Sequence, residues 1–100
     1  MKHFLLLYDF HPDFMTLRAP HRAAHLAHAR AAAARGELVL GGALDANGPP
    51  MGVLLFKAES AAAPEAFAAA DPYVTHGVAR SWRVREWTTV IGPDALTAAP

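Results

Sequence analysis

Six histidines in 100 residues form the densest set of chemically active side chains in this sequence. Three of them, His21, His25 and His28, stand at i, i+4 and i+7, a spacing that puts them in one stripe of a helix. A facing set of imidazoles holds zinc or iron, although no HExxH pattern and no carboxylate ligand accompanies these three. The plainer alternative is an exposed polar stripe. Asp71-Pro72-Tyr73 is the second feature. Aspartate followed by proline ends one helix and starts the next turn, and the Asp71 carboxylate is also placed to reach toward a histidine of the first helix. An imidazole held by a carboxylate keeps one tautomer and gains basicity, so it can act as a general base or acid near neutral pH.

Other chemistries find less support. There is no cysteine, which excludes disulfides, thiolate metal sites and a cysteine nucleophile. Gly41-Gly42 belongs to no GxGxxG or Walker pattern and reads as a strand end or bulge. Ser60 and Ser81 are the only serines, and neither sits in a nucleophile elbow. Arg83 and Arg85 share a strand face, with Arg80 nearby. Nine basic against nine acidic residues leave a formal net charge of zero, so a solvated or salt-bridged face is expected there, and no nucleic-acid partner. No apolar run approaches the roughly 18 residues of a membrane span. The start is too short and polar for a signal peptide, so the expected setting is the cytoplasm.

These residues need a frame. Residues 1–10 read as a strand in which Phe4, Leu6, Tyr8 and Phe10 face one side and Leu5 and Leu7 the other, as in a central strand buried on both faces. Residues 17–35, or from Ala19 with Pro20 in the first turn, read as a helix of good helix formers closed by Gly36 in a left-handed cap. On it, Pro20, Ala23, Ala24, Ala27, Ala31 and Ala34 share one arc, and these small residues are expected to lie against a sheet. Residues 37–44 and 51–58 read as a hairpin around the turn-forming stretch 45–50. Ser60 caps a second helix running to about Ala70, with one further turn over 72–76. Residues 78–90 read as the last strand, with Trp82 and Trp87 as core or interface aromatics. Residues 92–100 form a small-residue tail with little to anchor it.

The order βαββαβ predicts an α+β, ferredoxin-like fold: a four-stranded antiparallel sheet with two helices on one face. Of the 53% apolar residues, 23 are alanine, concentrated in the helices, while the bulky ones lie in the strands on both faces. One layer of helices covers one face of the sheet. The other is expected to pack against a second copy of the chain.

Three segments carry a family resemblance: Arg18…Ala24-His25-Leu26, Arg35-Gly36-Glu37-Leu38…Gly41, and Ala70-Asp71-Pro72-Tyr73-Val74…Gly77-Val78. Over about residues 1–91 the sequence resembles the YciI-like (YCII-related) family. The resemblance implies a dimeric α+β barrel domain over 1–91, followed by the tail 92–100. It also implies that His25 and Asp71 correspond to that family's histidine-aspartate pair, with Tyr8 and Arg18 near the same pocket. His76 stands where many relatives carry a small residue and would add an imidazole at the pocket mouth. His21 and His28 match no motif position, which weakens the metal reading. The resulting expectation is a homodimeric enzyme without cofactor or metal. Its His25-Asp71 acid-base dyad would carry out proton abstraction, elimination or isomerisation on a small cyclic or aromatic molecule, with Tyr8 and Arg18 helping to bind an anionic or phenolic group. The competing expectation is a non-catalytic dimeric module that binds a small ligand or accompanies an enzyme.

Overall fold

Alternation along the first strand decides the architecture. In the computed structural model, which describes residues 1–97, β1 (Lys2–Phe10) buries Phe4, Leu6 and Tyr8 while Leu5 and Leu7 are only half-buried. The chain continues through α1 (Phe14–Leu17), a 3-10 turn (Ala19–His21), α2 (Arg22–Ala34), β2 (Leu38–Ala43), β3 (Met51–Ala58), α3 (Ala62–Ala70), α4 (Pro72–Thr75) and β4 (Ala79–Trp87). The strands form one antiparallel sheet in the order β2-β3-β1-β4. This is the expected ferredoxin-like arrangement. Leu54 and Phe56 of β3 join Leu6 and Tyr8 on the inner face, where Ala32 of α2 and Phe67 and Ala68 of α3 meet them. The Phe56 and Phe67 rings pack edge to face with centroids 5.2 Å apart, which fixes α3 over β3.

Two expectations about the first helix need correction. It does not run from residue 17 as one piece. Pro20 lacks an N–H and sits in a separate 3-10 turn, and the α-helix begins at Arg22. Nor does the alanine arc face the sheet: Ala23, Ala24, Ala27, Ala31 and Ala34 are all exposed. The inward face carries His21, His25, Leu26, His28, Ala29 and Ala32. An alanine methyl contributes little on burial, so a surface of alanines does not orient a helix against rings that can stack and bond. The C-terminus follows expectation. Gly36 has φ +79°, and the bonds Gly36 N–H to Ala33 O and Glu37 N–H to Ala32 O close a Schellman motif.

The outer sheet face carries Leu5, Leu7, Val53 and Leu55, all half-buried, with Leu40 at 65% exposure beside them. The segment after β4 is better anchored than its composition suggests. Thr89 Oγ1 lies 2.7 Å from His3 Nδ1, Leu96 N–H donates to the same hydroxyl, and Thr97 N–H donates to Thr89 O. One hydroxyl thereby ties the segment over the start of β1 and buries His3. The rest of that tail, residues 98–100, lies outside the described residues. Among the described residues no helix is long and apolar enough to cross a membrane.

Candidate active site

Asp71 is the joint between α3 and α4. Its backbone is extended (φ −70°, ψ 125°), Pro72 opens the next helix, and its side chain caps that helix by accepting from Tyr73 N–H at 3.0 Å. The same carboxylate, fully buried, accepts from Tyr8 Oη at 2.6 Å and lies 2.8 Å from His25 Nδ1. Burial alone would raise the Asp71 pKa. The bonds from His25, Tyr8 and the Tyr73 backbone outweigh it and hold the carboxyl below the ordinary aspartate value. Tyr8 shifts the other way. Burial, then the bond to Asp71 and its negative charge, raise the phenol far above its usual range, so it remains a donor.

An ionised carboxylate only accepts, so His25 Nδ1 carries the proton in this pair, and a neutral ring keeps its lone pair on Nε2. The ring is held in place on its face too. Tyr73 stacks on it with centroids 3.7 Å apart and planes within 2°. The Tyr73 hydroxyl in turn accepts from Arg22 Nη1 at 3.0 Å. Three elements therefore converge on one imidazole: α2 supplies it, the α3–α4 joint orients it, and β1 supports the carboxylate.

His25 lines a cavity of about 250 Å³ between α2 and the inner face of the sheet. That volume lies below the range typical of drug-sized ligands and suits one substituted ring. Phe10 and Phe14, stacked with centroids 4.9 Å apart, form one wall, and Leu26, Leu38 and Leu54 contribute apolar surface. Gly41, Gly42 and Gly52 also border it. Gly52 is required by its neighbour, since a Cβ there would come within 2.9 Å of Phe10 Cζ. Arg18 and Arg22 are the cationic groups of the lining, and the Arg18 guanidinium lies 5.9 Å from the centre of the Phe14 ring.

Of the residues singled out in the sequence, His25, Asp71 and Tyr8 come together, and Arg18 lines the same cavity. The Tyr8 hydroxyl is committed to Asp71. His76 is not part of the lining. It caps α4, is exposed, and stacks on His21 at 4.0 Å with planes within 10°. His28 stacks on Phe67 at 4.3 Å, and its Nε2 lies 2.9 Å from Phe67 O. The three helix histidines thus face three different partners, and among the described residues no three His, Asp or Glu side chains gather as metal ligands do. Sequence reasoning missed Arg22, the ring of Tyr73 as a stacking partner, and the Phe10–Phe14 wall. A signal for Arg22 existed: it stands three residues before His25, on the same side of one helix.

Residues 1–88 match the family described as the YCII-related domain. Among solved structures, the fold is similar to that of 5-chloro-2-hydroxyhydroquinone dehydrochlorinase from Burkholderia phenoliruptrix AC1100, determined in complex with 2,5-dihydroxybenzoquinone. The TM-score is 0.73 at 23% sequence identity, over 87% of this chain and 94% of that one. At that identity the likeness concerns the fold. No curated protein sequence matches the chain.

Proposed function

Because the chain belongs to the YCII-related family, we propose that it is a small enzyme that needs no cofactor and uses His25 as its acid-base group. The observation that carries this reading is the bond of His25 Nδ1 to a buried, ionised Asp71, which leaves Nε2 as the free nitrogen of a ring lining an apolar cavity. Nε2 takes a proton from an acidic C–H or O–H of a small ring. The electron pair moves into the ring as an enolate or phenolate, whose charge faces the new imidazolium of His25. Expulsion of an anion from a neighbouring carbon then completes an elimination. Return of the proton from His25 to a different carbon completes an isomerisation instead. In both cases Asp71 stabilises the transient imidazolium and Tyr8 stabilises Asp71.

The similar fold of a dehydrochlorinase with a quinone ligand directs the first assay. The expected result is chloride release from a chlorinated hydroxyhydroquinone, lost in His25→Ala. Soaked crystals are expected to show 2,5-dihydroxybenzoquinone beside His25. Failure of a broad panel of phenols, quinones and lactones both to react and to enter the cavity sinks the proposal.

A binding module is favoured by one observation: Asp71 also caps α4, so its contacts double as a tie between helices. Loss of stability in His25→Ala is expected on either reading, because the variant takes a donor from the buried Asp71 carboxylate. The two readings part on turnover: on the module reading the wild-type protein binds members of the panel and converts none, and on the enzymatic reading it converts one and His25→Ala does not.

The proposal includes a homodimer. An outer face on which Leu5, Leu7, Val53 and Leu55 adjoin, uncovered by the helix layer, supports pairing of two sheets face to face.

A further inference from the structure

We infer that the preferred ligand of this cavity carries a carboxylate, separate from the atom that reacts at His25 and bound by Arg22 together with Arg18, so that a hydroxyquinone without one binds more weakly. The inference rests on the acid-base reading for the identity of the reacting group and adds the substrate class.

Both arginines line the cavity, and no aspartate or glutamate does. Among the described residues neither arginine is in a salt bridge, whereas Arg35 and Arg83 each have a carboxylate partner. Asp71 is buried and bonded to His25, Tyr8 and a backbone amide. Two like charges thus border one small cavity with no anion to offset them. Their position is also unfavourable for the helix. They flank the start of α2, whose first turn holds no acidic residue and whose amides already carry partial positive charge. Within the fold Arg22 donates to Tyr73 Oη and Arg18 lies over the Phe14 ring, but neither contact supplies a counter-charge, and an anionic ligand does.

The fixed geometry of Arg22 names the kind of anion. One of its terminal nitrogens, Nη1, donates to Tyr73 Oη, which fixes the guanidinium at the cavity edge and leaves its other N–H groups available. The planar fork of a guanidinium matches a carboxylate or a phosphate with two parallel bonds, and a cavity of about 250 Å³ that must also hold a ring favours the smaller, flat carboxylate. Tyr73 is stacked on His25, so a carboxylate held by Arg22 is anchored about one ring away from Nε2. The Phe10–Phe14 wall and the cavity of about 250 Å³ limit the remainder to a single small, flat ring. Arg22 is thereby a specificity-determining residue.

Calorimetric titration of the full chain with 4-hydroxybenzoate and 4-hydroxybenzamide tests this. The two probes share a ring and a phenol and differ in charge. The acid is expected to bind at least about tenfold more tightly, as for loss of a charge-assisted bidentate pair. Added salt is expected to weaken the acid alone. Arg22→Gln brings the ratio close to one, and Arg22→Lys restores part of it. Melting temperatures of the variants establish that each is folded. Equal binding of acid and amide, no binding of the acid, or a ratio unchanged in both Arg22→Gln and Arg18→Gln overturns the inference. The ratio is read from binding alone. A protein that turns nothing over but keeps the ratio refutes the acid-base reading and leaves the carboxylate site standing. Equal binding overturns the carboxylate site and leaves the His25 reading as it was.

Discussion

The Asp71 carboxylate lies 2.8 Å from His25 Nδ1 at the end of a chain of contacts in which every donor to it is fixed by a separate element. That geometry makes the charge of Asp71, more than its shape, the feature His25 depends on. Asp71→Asn keeps the shape and removes the charge. Its NH2 replaces one of the two oxygens and so faces either Tyr8, at the Oδ2 position, or His25 and the Tyr73 N–H, at the Oδ1 position. On any substrate that the wild-type protein is found to convert, the variant is expected to lose about 10²–10⁴-fold in kcat, the range of general acid-base catalysis. It is expected to lose about 1–3 kcal/mol of stability from mismatched buried donors. An unchanged kcat in a folded Asp71→Asn protein rules out the acid-base role.

Tyr8→Phe isolates the support of that carboxylate. The hydroxyl is 2.6 Å from Asp71 Oδ2 and buried, so its removal leaves an oxygen of a buried anion without a donor. A loss of about 1.5–3 kcal/mol is expected in urea denaturation, as for hydrogen bonds to charged groups. The Asp71 pKa is expected to rise toward or above the ordinary value, since one of the interactions lowering it is gone while burial remains. A carboxyl-carbon NMR titration reads this directly. No movement of that resonance contradicts the assigned network.

Acid stability follows from the same carboxylate. The folded Asp71 pKa is lowered, so the unfolded chain binds the proton more readily at that site. Its contribution is therefore fully present above the unfolded pKa of about 4 and declines as pH falls through that value toward the lower folded one. Asp9 is also lowered, chiefly by the Ser81 hydroxyl and also by Arg83, but it sits in an exposed cluster where water screens the effect. Urea unfolding between pH 7 and pH 2 is expected to lose less stability on the acid side in Asp71→Asn than in the wild-type chain. Parallel acid limbs in the two proteins place the responsible group elsewhere.

Much of this frame was legible in the sequence, and the exceptions share a cause. Strand β1 could be read because Phe4, Leu6 and Tyr8 alternate with Leu5 and Leu7. The joint at Asp71 could be read because aspartate before proline has few other backbone uses. The inward face of α2 could not, because alanines surround the helix and hydrophobicity gives it no direction. What turns the helix inward is specific pairing: His25 on Tyr73, His28 on Phe67 and its carbonyl, His21 on His76. These are contacts between residues 39 to 55 positions apart, and no local pattern announces them. The stripe at i, i+4 and i+7 was visible, but its flat faces, which pack as apolar surfaces while the nitrogens bond, make it a core face as well as a polar one.

The outer sheet face gives a prediction about assembly. Leu55 of β3 sits opposite Leu5 of β1 and Leu40 of β2, at the middle of the surface without helices. Sedimentation at micromolar concentration is expected to give a dimer. Leu55→Lys is expected to give a monomer with the same helix content, because a lysine there meets its symmetric counterpart or an apolar neighbour. A wild-type chain that stays monomeric throughout that range removes the face-to-face dimer.

Gly52 and Gly42 both border the cavity, and alanine at the two positions should act differently. At Gly52 the added methyl would stand 2.9 Å from Phe10 Cζ and 3.1 Å from Cε2, while at Gly42 it meets nothing within 4 Å. Phe10 cannot withdraw freely. It stacks on Phe14 at 4.9 Å and meets Tyr8 and Tyr73 edge to face at 6.1 and 6.2 Å. In Gly52→Ala the ring must therefore shift against that wall, and the space most open to it is the cavity. A loss of about 1–3 kcal/mol is expected, the usual cost of overpacking a filled site. Ligand affinity should fall with it, because the displaced ring narrows the slot beside His25. Gly42→Ala is expected to leave both nearly unchanged. If the two variants lose the same affinity, the Phe10 wall does not set the width of the site.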